Sequence, residues 1–128
     1  MRLLLDTHLW IWLATNPAKL SAAARAVFAD DGNTLVWSVV TIWEVAVKAA
    51  LRRPDFSADP GVLLDYLRRG PFEELSVIAE HTLPLMILPS IHKDPFDRIL
   101  IAQAMAEEMT LVTADRRLPA YPGLIRRV

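Results

Sequence analysis

Arg2-Leu3-Leu4-Leu5-Asp6 decides the fold, because three consecutive leucines leave no polar side for a half-solvated strand. The segment reads as a strand covered on both faces and ending in an acid. The same form recurs in Thr34-Leu35-Val36-Trp37-Ser38 and in Leu111-Val112-Thr113, with a fourth candidate at Glu74 to Ile78 and a short fifth near Leu124 to Ile125. Between them lie helical stretches: Leu9 to Ala14, Leu20 to Ala29 opened by Ser21, Val39 to Leu51, Val62 to Arg69, Glu80 to Leu88 disturbed by Pro84, and Pro95 to Glu108. Strands alternating with helices of this length form right-handed βαβ units. The expected class is α/β, with a central, mainly parallel sheet of four to five strands flanked by helices.

The chain has 128 residues, enough for one core, so residues 1–128 are expected as a single domain; Pro54 to Gly61 and Pro89 to Asp94 read as loops within it. At 53% hydrophobic and 23% charged, the composition is too apolar for a disordered chain. The longest stretches without Asp, Glu, Lys or Arg run 12 residues, too short for a spanning helix, and Asp6 interrupts the N-terminal apolar run, so no secretory signal is expected. The expected location is the cytoplasm. With no cysteine, disulfides, thiolate metal sites and cysteine nucleophiles are excluded. Lys and Arg number 14 against 15 Asp and Glu, so this is no polycation that coats nucleic acid, and any such contact must come from local pairs such as Arg116-Arg117. Four tryptophans in so short a chain predict a sticky face and self-association, most plausibly through the early helix carrying Trp10 and Trp12.

In a parallel sheet the C-terminal ends of the strands share one edge with the N-termini of the crossover helices. Asp6 ends the first strand, Asp115 follows the strand Leu111 to Thr113 by two residues, Glu44 sits early in the helix after Ser38, and Asp97 lies in the first turn of the helix opened by Pro95. All four are thereby expected on one rim. Each has a structural alternative, since acids near helix starts cap free N–H groups. Asp6 suits a cap for the helix near His8, Glu44 a capping box with Thr41, Asp94 an N-cap with Asp97 as its capping-box partner, and Asp115 a cap for the turn Arg116 to Leu118. Such caps do not explain why all four acids fall on the same edge.

Several carboxylates in one place repel unless a counter-ion joins them, and all-oxygen ligands suit Mg²⁺ or Mn²⁺ rather than Zn²⁺. The three histidines, His8, His81 and His92, show no metal-ligand spacing and are expected as satisfied polar residues, with His92, two before Asp94, the one to follow. Only four glycines are present, so no dinucleotide fingerprint or phosphate-binding P-loop exists.

Four segments in order, Leu3-Leu4-Leu5-Asp6-Thr7-His8, Ser38 through Lys48, His92-Lys93-Asp94-Pro95-Phe96-Asp97-Arg98 continuing to Ala104, and Leu111-Val112-Thr113-Ala114-Asp115, resemble the PIN domain. Within it they look like the VapC-type toxin ribonucleases of bacterial toxin–antitoxin pairs, over essentially the whole chain. The resemblance implies a Mg²⁺- or Mn²⁺-dependent endoribonuclease in which Asp6, Glu44, Asp97 and Asp115 match the acidic quartet. Thr113 matches the polar residue that orients the last Asp, and Thr7 stands beside the first acid. Water activated by the cation is expected to attack the RNA phosphodiester, with Asp6 and Asp97 as main ligands, Glu44 and Asp115 orienting water or holding a second ion, and Arg116 and Arg117 as candidate RNA contacts. The implied partners are a second copy of the chain and a small VapB-type antitoxin that covers the acidic site. A non-catalytic RNA- or protein-binding module of the same fold is the rival reading, and dependence on a divalent ion separates the two.

Overall fold

The computed structural model describes residues 1–128. Five strands, β1 (Arg2–Leu5), β2 (Thr34–Ser38), β3 (Glu73–Leu75), β4 (Thr110–Thr113) and β5 (Ile125–Arg127), form one sheet in the order β3-β2-β1-β4-β5. Every neighbouring pair is parallel. The helices are α1 (Thr7–Thr15), α2 (Ala22–Ala29), α3 (Val39–Ala50), α4 (Pro60–Arg69) and α5 (Pro95–Ala106), joined by short 3-10 segments.

Successive strand residues point to opposite faces, so the leucine run of β1 serves two cores at once. Leu4, Val36 and Leu111 pack with α5 residues such as Leu100 and Ile101, whereas Leu3, Leu5, Trp37 and Val112 pack with Leu9 and Trp10 of α1 and with Leu63 and Leu67 of α4. This is the double burial that an unbroken apolar strand requires, and it places β1 at the centre of a three-layer α/β/α domain. No helix is long and apolar enough to cross a membrane.

Differences from the expected boundaries have local causes. α1 starts at Thr7 rather than Leu9 because Asp6 caps it, and α4 starts at Pro60 because Asp59 accepts from the Val62 N–H. Ser21 caps α2 as expected. The stretch Ala79–Ile87 is a 3-10 segment rather than an α-helix; its internal Pro84 has no N–H to donate. β3 ends at Leu75 instead of continuing to Ile78, because the Ile78 N–H is captured by His81 Nδ1 at 3.1 Å and the Ser76 carbonyl accepts from Gln103 Nε2 at 3.4 Å. β5 begins one residue late, although the Leu124 carbonyl still accepts from the Leu111 N–H at 2.8 Å.

A buried polar chain ties this frame together. Ser38 Oγ accepts from the Val40 N–H, capping α3, and donates to Gln103 Oε1 of α5 at 2.5 Å. Gln103 Nε2 lies 3.2 Å from His81 Nδ1, and His81 Nε2 lies 3.0 Å from Glu107 Oε1. His81 is thus the satisfied core histidine expected of it, and the chain fixes α3 and α5, the two helices that carry Glu44 and Asp97, against each other.

Candidate active site

The C-terminal edge of the sheet carries the acids. Asp6, 4% exposed, uses both oxygens: Oδ1 accepts from the Leu9 N–H at 3.0 Å, and Oδ2 accepts from the Thr113 hydroxyl and from the Ala114 N–H at 3.3 Å. One side chain thus both caps α1 and ties the end of β1 to the end of β4. Burial pushes this carboxyl above its usual range, opposed by the three donors. Thr113 also accepts the Asp115 N–H at 3.0 Å, so one hydroxyl aligns the first acid with the last.

Asp115 is held by Arg117, whose Nε and Nη2 reach its two oxygens at 3.1 and 2.9 Å while the Arg117 N–H donates to Oδ1 at 2.8 Å. The expected cap of the following turn is real, and the guanidinium holds this carboxyl below its ordinary value. The Arg117 side chain pairs with Asp115 while remaining largely exposed. Arg116 stays exposed, and both arginines line a cleft of about 520 Å³ with Asp6, His8, Trp12 and Asp115.

Glu44, 2% exposed, stands in the middle of α3 and makes no capping box with Thr41. Thr41 instead meets the Thr7 hydroxyl at 3.2 Å. Thr7, next to Asp6, thereby fastens α1 to α3. Glu44 Oε2 pairs with the Lys48 ammonium one turn on, whereas Oε1 is buried without any partner. The same ammonium lies 3.9 Å from Asp94, the N-cap of α5.

The Asp97 carboxyl is pushed up to about 7, first by burial and then by the charges of Asp94, Glu44, Asp6 and Asp115. Asp97 thus feels the charge of each of the other three acids of the quartet. Asp97 is not a capping-box partner of Asp94, whose N–H donates to His92 Nδ1 at 3.0 Å. His92 Nε2 faces Asp97 at 3.4 Å and Asp115 at 3.7 Å, close enough for charge but not aligned as a hydrogen bond.

A profile of the PIN domain matches residues 3–124. The chain belongs to the PIN domain family. A curated relative, Ribonuclease VapC22 of Mycobacterium tuberculosis, is 28% identical over 129 residues, covering 92% of this chain and 90% of the relative. Among solved structures, VapBC2 from Rickettsia felis bound to a DNA fragment from its promoter contains a chain of the same fold, with TM-score 0.74, 17% identity and coverage of 100% of this chain and 99% of that one. DNA-bound VapBC from Salmonella typhimurium matches with TM-score 0.68, 18% identity and coverage of 99% and 98%. Within the PIN domain of this chain, Lys48, Asp94 and His92 join the acids that sequence reasoning singled out. Lys48 was visible as the i+4 neighbour of Glu44. The role of His92 depends on which ring nitrogen faces which partner, and no spacing rule encodes that.

Proposed function

We propose that this PIN domain is a divalent-cation-dependent endoribonuclease, the VapC-type toxin of a VapB–VapC pair, using Mg²⁺ or Mn²⁺. The observation that carries the reading is the gathering of acids: an Asp97 carboxyl raised to about 7 by burial and then by the charges of Asp94, Glu44, Asp6 and Asp115, beside a buried Glu44 Oε1 with no donor. An all-oxygen donor set of this kind fits a hard cation, which Asp6, Glu44, Asp97 and Asp115 would hold. Such an ion supplies charge neutralisation at a phosphodiester and an acidified water. The chain's own residues do the rest. Thr113 keeps Asp6 and Asp115 in fixed relation, Arg117 keeps Asp115 ionised, and Arg116 offers an exposed cation to the RNA backbone. The nearly neutral balance of the chain suits a substrate held at a local site rather than along a basic stripe.

Incubation of the purified chain with a panel of structured RNAs is expected to give discrete cuts with Mg²⁺ or Mn²⁺ and none in EDTA. RNA bound equally well in EDTA and never cut would establish the non-catalytic binding module instead. The VapBC neighbours support a VapB-type antitoxin as partner. An arginine or lysine inserted among the four carboxylates would displace the ion, so inhibition by the antitoxin should weaken as Mg²⁺ rises at constant ionic strength.

A homodimer is proposed as well, through α3 rather than through Trp10. Trp10 is fully buried, packed edge-on against Phe72 at 4.8 Å between ring centroids, and so cannot meet a partner. The exposed apolar stripe is Trp43 and Val47 of α3 with Leu51 at its C-cap, spaced by four, and Leu83, Met86 and Ile87 are also exposed. Sedimentation should show a dimer for the wild type and a monomer for Val47→Glu/Leu51→Glu with unchanged circular dichroism. A double variant that remains dimeric would remove α3 from the interface.

A further inference from the structure

His92, Asp97 and Asp115 place one nitrogen and two carboxylate oxygens within 4.8 Å of one another, which by residue type alone reads as a metal triad. The hydrogen bonds around the ring say otherwise. We propose that His92 is a positioning residue whose Nε2–H faces Asp97 and Asp115 and orients Asp97 toward the cation without ligating it. This rests on the reading that the acidic cleft takes a divalent ion.

The argument begins with what holds the ring. The His92 N–H donates to Tyr121 Oη at 2.6 Å, and that hydroxyl donates back to the His92 carbonyl at 3.1 Å, so a buried tyrosine beyond β4 clamps the backbone on both sides. On the ring, Nδ1 receives the Asp94 N–H at 3.0 Å. A backbone amide is only ever a donor, so Nδ1 must carry the lone pair. In the neutral imidazole the proton is then on Nε2, the buried atom that faces Asp97 at 3.4 Å and Asp115 at 3.7 Å.

Ligation through Nε2 would require moving that proton to Nδ1, setting two N–H groups against each other at the Asp94 amide. Asp94 caps α5 through the Phe96 N–H at 2.9 Å, and the first turn of α5 carries Asp97, so such a change would loosen the very acid it was meant to serve. The donor arrangement has no such cost. A neutral N–H facing two carboxylates, without a formed hydrogen bond to either, offsets their repulsion and leaves the lone pairs of Asp97 to a cation, while Arg117 holds both oxygens of Asp115. Hydrogen-bonding partners of metal ligands commonly set affinity in this way, by about 10- to 100-fold.

The test is a Mn²⁺ titration of wild type, His92→Ala and His92→Gln by the paramagnetic resonance of free Mn²⁺, with long-range ¹H–¹⁵N spectra of His92 in the metal-free and Mg²⁺-loaded protein. Glutamine keeps an N–H near the Nε2 position, whereas alanine keeps none. The expected result is an Nε2–H tautomer in both states, Mn²⁺ affinity about 10- to 100-fold weaker for His92→Ala, and recovery to within roughly threefold for His92→Gln. Loss of the Nε2 proton on adding metal, an alanine variant that binds like wild type, or a glutamine variant as weak as alanine would each overturn the proposal. If His92→Ala fails to fold, the spectra and the glutamine variant decide alone. Wild type that binds no Mn²⁺ would sink the cation reading itself, and this one with it, whereas wild type that binds beside an unaffected His92→Ala sinks only the role of His92.

Discussion

Asp97→Asn should abolish RNA cleavage and yet, at pH 8 without divalent ions, melt roughly 5–10 °C above the wild type. The two effects have one cause. The Asp97 carboxyl titrates near 7 in the folded chain against an ordinary value of 3.8, so between these limits the native state holds a proton that the unfolded state has released. The sign follows: this group's burden is absent below about pH 4, grows as pH rises, and is complete above pH 7. A shift from 3.8 to about 7 sets a ceiling of roughly 4 kcal/mol, and because the side chain is 17% exposed, about 1–3 kcal/mol is the expected loss. Asparagine carries no charge and escapes the loss, but it cannot hold a cation as a carboxylate does. Mg²⁺ should flatten the pH dependence of the wild type and leave the variant unmoved. Melting curves from pH 4 to 8, with and without Mg²⁺, check this, and a variant less stable than wild type at pH 8 in EDTA would make Asp97 a structural acid.

The convergence of the acids was legible from sequence because it depends only on topology. Once Leu3-Leu4-Leu5 demands a strand buried on both faces, alternation with helices makes the sheet parallel, and every residue just past a strand end, Asp6 and Asp115 among them, must share an edge. What the sequence did not reveal depends on directional contacts between distant residues. Glu74 to Ile78 looks like one strand, but pairing stops at Leu75, after which Gln103 takes the Ser76 carbonyl and His81 the Ile78 N–H. Trp10 and Trp12 look equivalent in composition, yet the helical period turns Trp10 into the core and leaves Trp12 half-buried beside the cleft. No local rule foretells that Arg117 folds back onto Asp115.

Lys48→Met should lower metal-free stability by about 2–3 kcal/mol while raising Mn²⁺ affinity several-fold, because one ammonium now stands where the site lacks positive charge. Burial works against the charge on Lys48, but the Glu44 carboxylate outweighs it, with Asp94 and Asp97 adding to the effect, so its pKa rises. Removing the ammonium leaves Glu44, 2% exposed, with no partner on either oxygen. An uncompensated buried charge costs about 3–5 kcal/mol, reduced here because Lys48 is itself 29% exposed. The double variant Lys48→Met/Glu44→Gln should regain most of that loss, since the charge that needed pairing is gone, and the coupling between the two sites measures the pair directly. Metal binding should move the opposite way, because a divalent ion no longer competes with a tethered cation for the same carboxylates. Added Mn²⁺ should therefore stabilise Lys48→Met more than wild type, and the Asp97 burden should deepen without it. Equal stability and equal Mn²⁺ affinity in variant and wild type would show that Lys48 serves the surface of α3 and that the metal-free site tolerates its acids by protonation alone.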